Sequence, residues 1–160
     1  MKRLTPEQSK RYRKYHIPHT GNLNSVKLNA IFLNKHNNKI HESAKFELAW
    51  IHEKYIVEAE RKATPEEIQM FDLKTGKKII DFVDLISGKE IEIVYKHESD
   101  KEIEFYRENG IIPFIVCDKF RCEKCGKEYP RRNKKNICKI CKEEKNESKT
   151  KSCISKTKRI

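Results

Sequence analysis

The sequence lacks any apolar run approaching the roughly 18 residues that a membrane-spanning helix needs, which excludes that class. Its beginning, Met1-Lys2-Arg3-Leu4-Thr5-Pro6, lacks the apolar stretch of a secretory leader, so a cytoplasmic protein with reduced thiols is expected. Glycine and proline are scarce, at five each, which argues against a collagen-like or linker-dominated chain. Apolar residues are also few: 36% of 160 residues, against 38% charged, so a large core is not expected. Acids are nearly missing from the first forty residues and outnumbered by cations at the other end. Residues 1–40 carry nine Lys/Arg against one Glu, and residues 117–160 carry sixteen against six acids. Residues 41–116 reverse the balance, with eleven against seventeen. Basic ends around an acidic centre suit a protein whose ends hold a polyanion and whose centre handles cations.

Six cysteines are present, and four fall into two knuckles, Cys122-Glu-Lys-Cys125-Gly126 and Cys138-Lys-Ile-Cys141, with twelve residues between them. In a reducing compartment this spacing points to metal rather than disulfides. Four thiolates suit tetrahedral zinc with no open position, hence a structural ion. Cys117 and Cys153 fall outside the spacing. The insert between the knuckles carries Lys127, Arg131, Arg132, Lys134 and Lys135 around Tyr129, a cationic surface suited to phosphates. Near the start, Arg11, Arg13 and Lys14 alternate with Tyr12 and Tyr15, a second candidate for contacts with DNA.

The pattern from His41 onward predicts an α/β core with a mixed sheet. Ala44, Leu48, Ile51 and Tyr55 follow helical spacing. Tyr55 to Ala59 reads as a strand, and Thr64-Pro65-Glu66-Glu67 as a capped helix start. Residues 79–86 and 90–96 read as a hairpin around Gly88, and Ser99 to Gly110 as a second capped helix leading to a strand over 111–116. Four segments result: a basic segment over 1–40, the α/β domain over 41–116, a zinc ribbon over 117–145, and a basic tail over 146–160 expected to be disordered.

The hairpin holds the candidate catalytic chemistry. If Gly88-Lys89 is a two-residue turn, Leu85 lies opposite Glu92 and Asp81 opposite Lys96, with Asp81, Glu92 and Lys96 on one face. A three-residue turn brings Asp84 onto the face of Glu92 instead. Two carboxylates and a lysine on one face can hold Mg²⁺ or Mn²⁺ and help water attack a phosphodiester, with Glu58 a further ligand. These residues also resemble the PD-(D/E)xK nuclease superfamily, in particular its competence CoiA-like and archaeal Holliday-junction-resolvase-like branches. Asp81 matches the family's Asp and Glu92 its Glu. Glu58 matches an earlier acid, and His41-Glu42-Ser43-Ala44-Lys45 is similar to a His-x3-Lys stretch on the first helix. The position two after Glu92 is Val94 rather than Lys, and Lys96 would have to take the lysine's role. The resemblance covers residues 41–116 and implies a restriction-endonuclease-like core. It implies Asp81 and Glu92 as ligands of Mg²⁺ or Mn²⁺, DNA as substrate and, as in related resolvases, a homodimer. The competing expectation is a non-catalytic zinc-ribbon regulator on DNA or the transcription machinery, or an adaptor with an acidic docking face. Abundant Lys, Ile and Asn suit an AT-rich archaeal or viral genome.

Overall fold

A computed structural model describes residues 3–15, 28–31 and 33–154, with side chains through residue 147. The elements run α1 (Pro6–Arg13), α2 (Lys39–Ile51), β1 (Tyr55–Lys62), α3 (Pro65–Phe71), β2 (Lys77–Asp84), β3 (Glu90–Val94), α4 (Asp100–Glu108), β4 (Ile112–Ile115), β5 (Lys119–Arg121), β6 (Glu128–Pro130) and α5 (Lys139–Ile154). Helices α3 and α4 begin where expected. Thr64 and Ser99 cap them, and Glu67 and Glu102 return the bond to the cap amide. The same device starts α1, where Thr5 pairs with Gln8 and Pro6 takes the first position.

The first four strands form one mixed sheet in the order β1-β2-β3-β4. Strands β1, β2 and β3 run antiparallel, and α4 carries the chain across so that β4 lies parallel to β3. Ala44 and Leu48 of α2 pack on Tyr55, Val57, Phe82, Ile91 and Ile93. The stripe expected on α2 is otherwise corrected: Ile51 is 69% exposed, and Tyr55 belongs to β1, because the helix stops at Ile51. Tyr15, after α1, packs on Ile56, Ala59, Ile80, Val83 and Leu85.

Val57 and Ala59 fall in different clusters, as do Phe82 and Ile80, although residues two apart on a regular strand share a face. The alternation inverts where Val57 pairs with Phe82 and Ala59 with Ile80. Between them stand Glu58 and Asp81, and Glu58 has φ +50°, rare for a residue with a side chain. Two carboxylates thus mark the break in the sheet's pattern.

The cysteine-bearing region shares a core with the sheet domain. Phe120, Tyr129, Cys122, Cys138 and Cys141 pack with Val94, Ile103, Phe105, Tyr106 and Ile111. Polar bonds reinforce the junction: Lys127 and Tyr129 bind Glu104, and Lys139 N donates to Asp100 at 2.9 Å. Helix α5 continues to Ile154 through residues for which composition predicts disorder, and 155–160 lie outside the described residues. Its Lys/Glu-rich turns are good helix formers that need little burial once Cys138 anchors the first turn.

A buried cation ties α1, β1, α3 and β3 together. Arg61 makes paired bonds to Glu67 (2.8 and 2.6 Å) and to Glu90 (2.6 and 2.7 Å), and Tyr15 donates to Glu90 at 2.8 Å. Replacing Arg61 with Met would strand two buried carboxylates. The expected loss is about 3–5 kcal/mol of unfolding free energy, measured by urea denaturation.

Candidate functional site

The connection between β2 and β3 fixes which side chains meet. Asp84 accepts from the amides of Ile86 (3.0 Å) and Ser87 (3.3 Å) and from Ser87 Oγ (2.6 Å). Such a side-chain turn, with Gly88 at φ +76°, spans four residues, 85–88, rather than two or three. Arg11 clamps it by donating to the carbonyls of Leu85 (3.0 Å) and Ile86. Phe82 therefore pairs with Ile91 and Val83 with Glu90. One step further along that register, Asp81 stands level with Glu92, and Asp84 is engaged in the turn. The expected pairings of Leu85 with Glu92 and Asp81 with Lys96 are corrected.

Glu58, Asp81 and Glu92 thus form a row across three neighbouring strands, with counter-charges between them. Lys45, fully buried, bonds Glu58 at 2.7 Å and Glu42 at 2.8 Å. Glu42 also accepts from Asn34 N at 2.8 Å and Asn37 Nδ2 at 2.9 Å. His41 joins Glu42 (Nδ1 to Oε1, 3.1 Å) to Asp81 (Nε2 to Oδ2, 3.2 Å). Asp81 Oδ2 accepts the Ile93 amide at 2.9 Å, so the carboxylate occupies a ladder position between β2 and β3. At the far end Lys78 Nζ lies 2.9 Å from Glu92 Oε1. His41, Glu42 and Lys45 come from one side of α2, where i, i+1 and i+4 project together.

The two central carboxylates are driven apart. Burial raises Asp81, but bonds from His41, Glu92 and the Ile93 amide outweigh it and hold Asp81 below its ordinary value. Burial and the neighbouring Asp81 charge push Glu92 well above its ordinary range, against the pull of Lys78. Adjacent carboxyls that share one site divide in this way, one ionised and one holding its proton.

Lys96 does not reach this row. Strand β3 ends at Val94, and Lys96 is exposed with Nζ 5.7 Å from the Tyr95 ring centre. Among the described residues no ion pair joins Lys96 to Asp81 or Glu92. Position 94 itself holds Val94, fully buried against α4. The cation beside Glu92 is instead Lys78, which the sequence reading missed. Its signal was alternation: Lys77 and Ile79 face out while Lys78 and Ile80 face in.

The four expected cysteines come together. Among the described residues they alone form a convergent set of three or more metal-ligating groups, with all four sulfurs within 4.8 Å of one another. A tetrahedral ion bound at about 2.3 Å requires sulfurs roughly 3.8 Å apart, and Cys125 and Cys138 stand at 3.9 Å. The set could hold a structural metal ion. Cys122 and Cys125 flank the turn between β5 and β6, which Gly126 closes at φ +71°, and Cys138 and Cys141 straddle the start of α5. Burial raises the Cys122 thiol, but the Cys138, Cys125 and Lys124 amides outweigh it and hold it at about 6. Cys117 lies apart, its Sγ 3.4 Å from the Tyr95 carbonyl, and the side chain of Cys153 is outside those described.

The expected DNA-facing cations divide. Lys127 is paired with Glu104, Arg11 serves the turn, Arg132 lies 3.9 Å from Asp100, and Lys14 lies 3.7 Å from Glu90. Arg131 lies 5.9 Å from the Phe120 ring centre. Arg13, Lys134 and Lys135 are exposed. No helix among the described residues is long and apolar enough to cross a membrane.

Compared with protein-family models, curated proteins and solved structures, the chain matches none.

The charge row sets a pH dependence of folding. Burial lowers His41, but its bonds to Asp81 and Glu42 win and raise it above its ordinary 6.5. Its stabilising contribution is full below that value and fades as pH rises through the raised one. The Asp81 contribution has the opposite sense, complete above the ordinary carboxylate value and lost as pH falls through the lowered one. Replacing His41 with Gln is expected to flatten the fall in unfolding free energy between about pH 6 and 8, read from urea curves.

Proposed function

We propose that the protein is a metal-dependent DNA endonuclease whose site is the row Glu58–Asp81–Glu92, and that its four-cysteine centre holds a structural zinc. The observation that carries the reading is the register: Asp81 and Glu92 stand level on adjacent strands, with cations on either side. The order helix, strand, short helix, two strands, helix, strand supports the restriction-endonuclease-like core implied by the sequence resemblance. So does the chain of contacts that links His41, Lys45, Glu58, Asp81 and Glu92, all five of which belong to that resemblance.

The donors fit a hard divalent cation. Asp81 and Glu92 offer carboxylate oxygens, the donor type that Mg²⁺ and Mn²⁺ prefer. When bound, such an ion supplies charge neutralisation at the phosphate and a water acidified for attack. The residues of the chain prepare for it. His41 and the Ile93 amide orient Asp81. Glu92 must release its proton to serve as a ligand, so cation affinity rises with pH. Lys45 and Glu42 secure Glu58 from α2. Lys134 and Lys135 on the ribbon, with Arg13 after α1, would hold the DNA backbone and make binding weaken with salt.

A second reading, a non-catalytic DNA-binding protein, is favoured by one observation. The four cysteines converge on a common centre, whereas the three carboxylates do not. A cleavage assay separates the two. Linear, single-stranded and branched DNA would be incubated with Mg²⁺ or Mn²⁺ and with native, Asp81→Asn or Glu92→Gln protein. Metal-dependent cleavage reduced about 100-fold or more in both variants is expected. Retarded but intact DNA with native protein would leave the binding role alone.

A further inference from the structure

Resting on DNA as the partner, as in the reading above, we propose that the groove between the loop after β6 and helix α5 binds an unpaired nucleotide of a DNA strand. Lys139 and Lys142 hold its phosphates, and a floor of Phe120, Pro130 and Ile137 receives its base.

The groove encloses about 400 Å³, within the roughly 300–1,000 Å³ typical of small-molecule sites. One wall is the loop after β6, which supplies Arg132. The other is α5, which supplies Lys139, Lys142 and Glu143. Those three positions are spaced i, i+3 and i+4, so the helix presents them along one side. Between the walls lie Phe120 of β5, Pro130 of β6 and Ile137. Phe120 and Ile137 belong to the core shared with α4, so the floor is held by packing on the sheet domain.

Charge decides what fits. Both carboxylates at the groove are engaged by the protein itself. Glu143 lies 3.0 Å from Lys101, while Asp100 accepts the Lys139 amide at 2.9 Å and stands 3.9 Å from Arg132. Among the described residues no carboxylate pairs with the ammonium group of Lys139, which is exposed, or of Lys142, which is half-buried. Two ammonium groups beside an apolar floor complement a ligand that is anionic at one end and flat at the other, as a nucleotide is. Base pairing then selects the form of DNA. In a duplex the bases are stacked and paired inside the helix, so its backbone can meet the cations without filling the floor. An unpaired nucleotide offers both parts, and single-stranded or branched DNA supplies it.

The test measures binding by fluorescence anisotropy, using full-length protein purified with zinc and no Mg²⁺ or Mn²⁺, so that no strand is cut. The probes are a short oligothymidylate, an abasic strand and a duplex, all of equal length. The variants are Lys139→Gln/Lys142→Gln, Ile137→Ala and, as a control, Lys74→Gln/Lys89→Gln. The control removes the same charge in the connections flanking β2. Native protein is expected to bind oligothymidylate about tenfold tighter than the abasic strand. Lys139→Gln/Lys142→Gln should weaken both single strands about tenfold and flatten the slope of log affinity against log salt by about 1.4. Ile137→Ala should lose about fivefold for oligothymidylate and nothing for the abasic strand. The control should match native protein. An equal loss in the control, or no native preference for bases over abasic sugar, would overturn the groove. If melting temperature shows Ile137→Ala unfolded, the lysine pair decides: a loss for duplex as large as for oligothymidylate overturns the proposal. Native protein that binds none of the probes would overturn DNA as the partner, and the proposal with it. The expected pattern in a protein that never cleaves DNA would keep the groove and remove the nuclease.

Discussion

Placing ionisable groups side by side in the middle of a β-sheet is the constraint on which the rest of the structure depends. Glu58, Asp81 and Glu92 occupy positions where an ordinary sheet would carry valines. An isolated buried carboxylate costs several kcal/mol, so each has a dedicated partner: Lys45 for Glu58, His41 for Asp81, Lys78 for Glu92. Those partners explain features that packing alone does not. Helix α2 buries a glutamate and a lysine, with a half-buried histidine beside them, where a purely structural helix would bury leucines. Strand β1 accepts a left-handed residue at Glu58, and β2 and β3 separate beyond Phe82, where the Asp81 carboxylate takes the Ile93 amide. Strain and buried charge gathered at one place are the physical signature of a site.

The cysteine centre enters the same system through α4. That helix follows β3, supplies Tyr106 to the surroundings of Lys78 and Ile103 to the packing of Val94, and receives the ribbon on Glu104, Arg107 and Asp100. The four sulfurs sit next to the hydrophobic cluster that contains Val94. An ion bound there would hold β5, β6 and α5 against the helix that bounds the acidic row. Arg61 performs the corresponding task on the other side, joining α1 and α3 to β3 through Glu90 and Glu67.

Much of this was legible in the sequence, for identifiable reasons. Capping signals located α3 and α4 because Thr64 and Ser99 act locally. The meeting of the four cysteines was legible because two-residue knuckles leave little conformational choice. Asp81, Glu92 and Glu58 stood out as acids among β-branched neighbours. The register did not, since it turns on Asp84 folding its side chain back onto Ser87, which lengthens the connection and moves Lys96 away from Asp81. Lys78 was hidden because a lysine beside a lysine at a strand's start reads as solvent-facing. It is recognised only when Phe71 of α3 and Tyr106, far along the chain on α4, close around it. Helix α1 carried the same Thr-Pro start as α3 but too few buried residues to announce itself, and α5 reads as a solvated tail by composition.

The central claim is that Asp81 and Glu92 together form a divalent-cation site distinct from the cysteine centre. Crystals of the native protein soaked in Mn²⁺, with anomalous diffraction recorded at the manganese and zinc absorption edges, test it most directly. The account predicts a manganese peak beside the carboxylates of Asp81 and Glu92 and a separate zinc peak among Cys122, Cys125, Cys138 and Cys141. A fully soaked crystal with zinc at the cysteines and no manganese at the acidic row would contradict it.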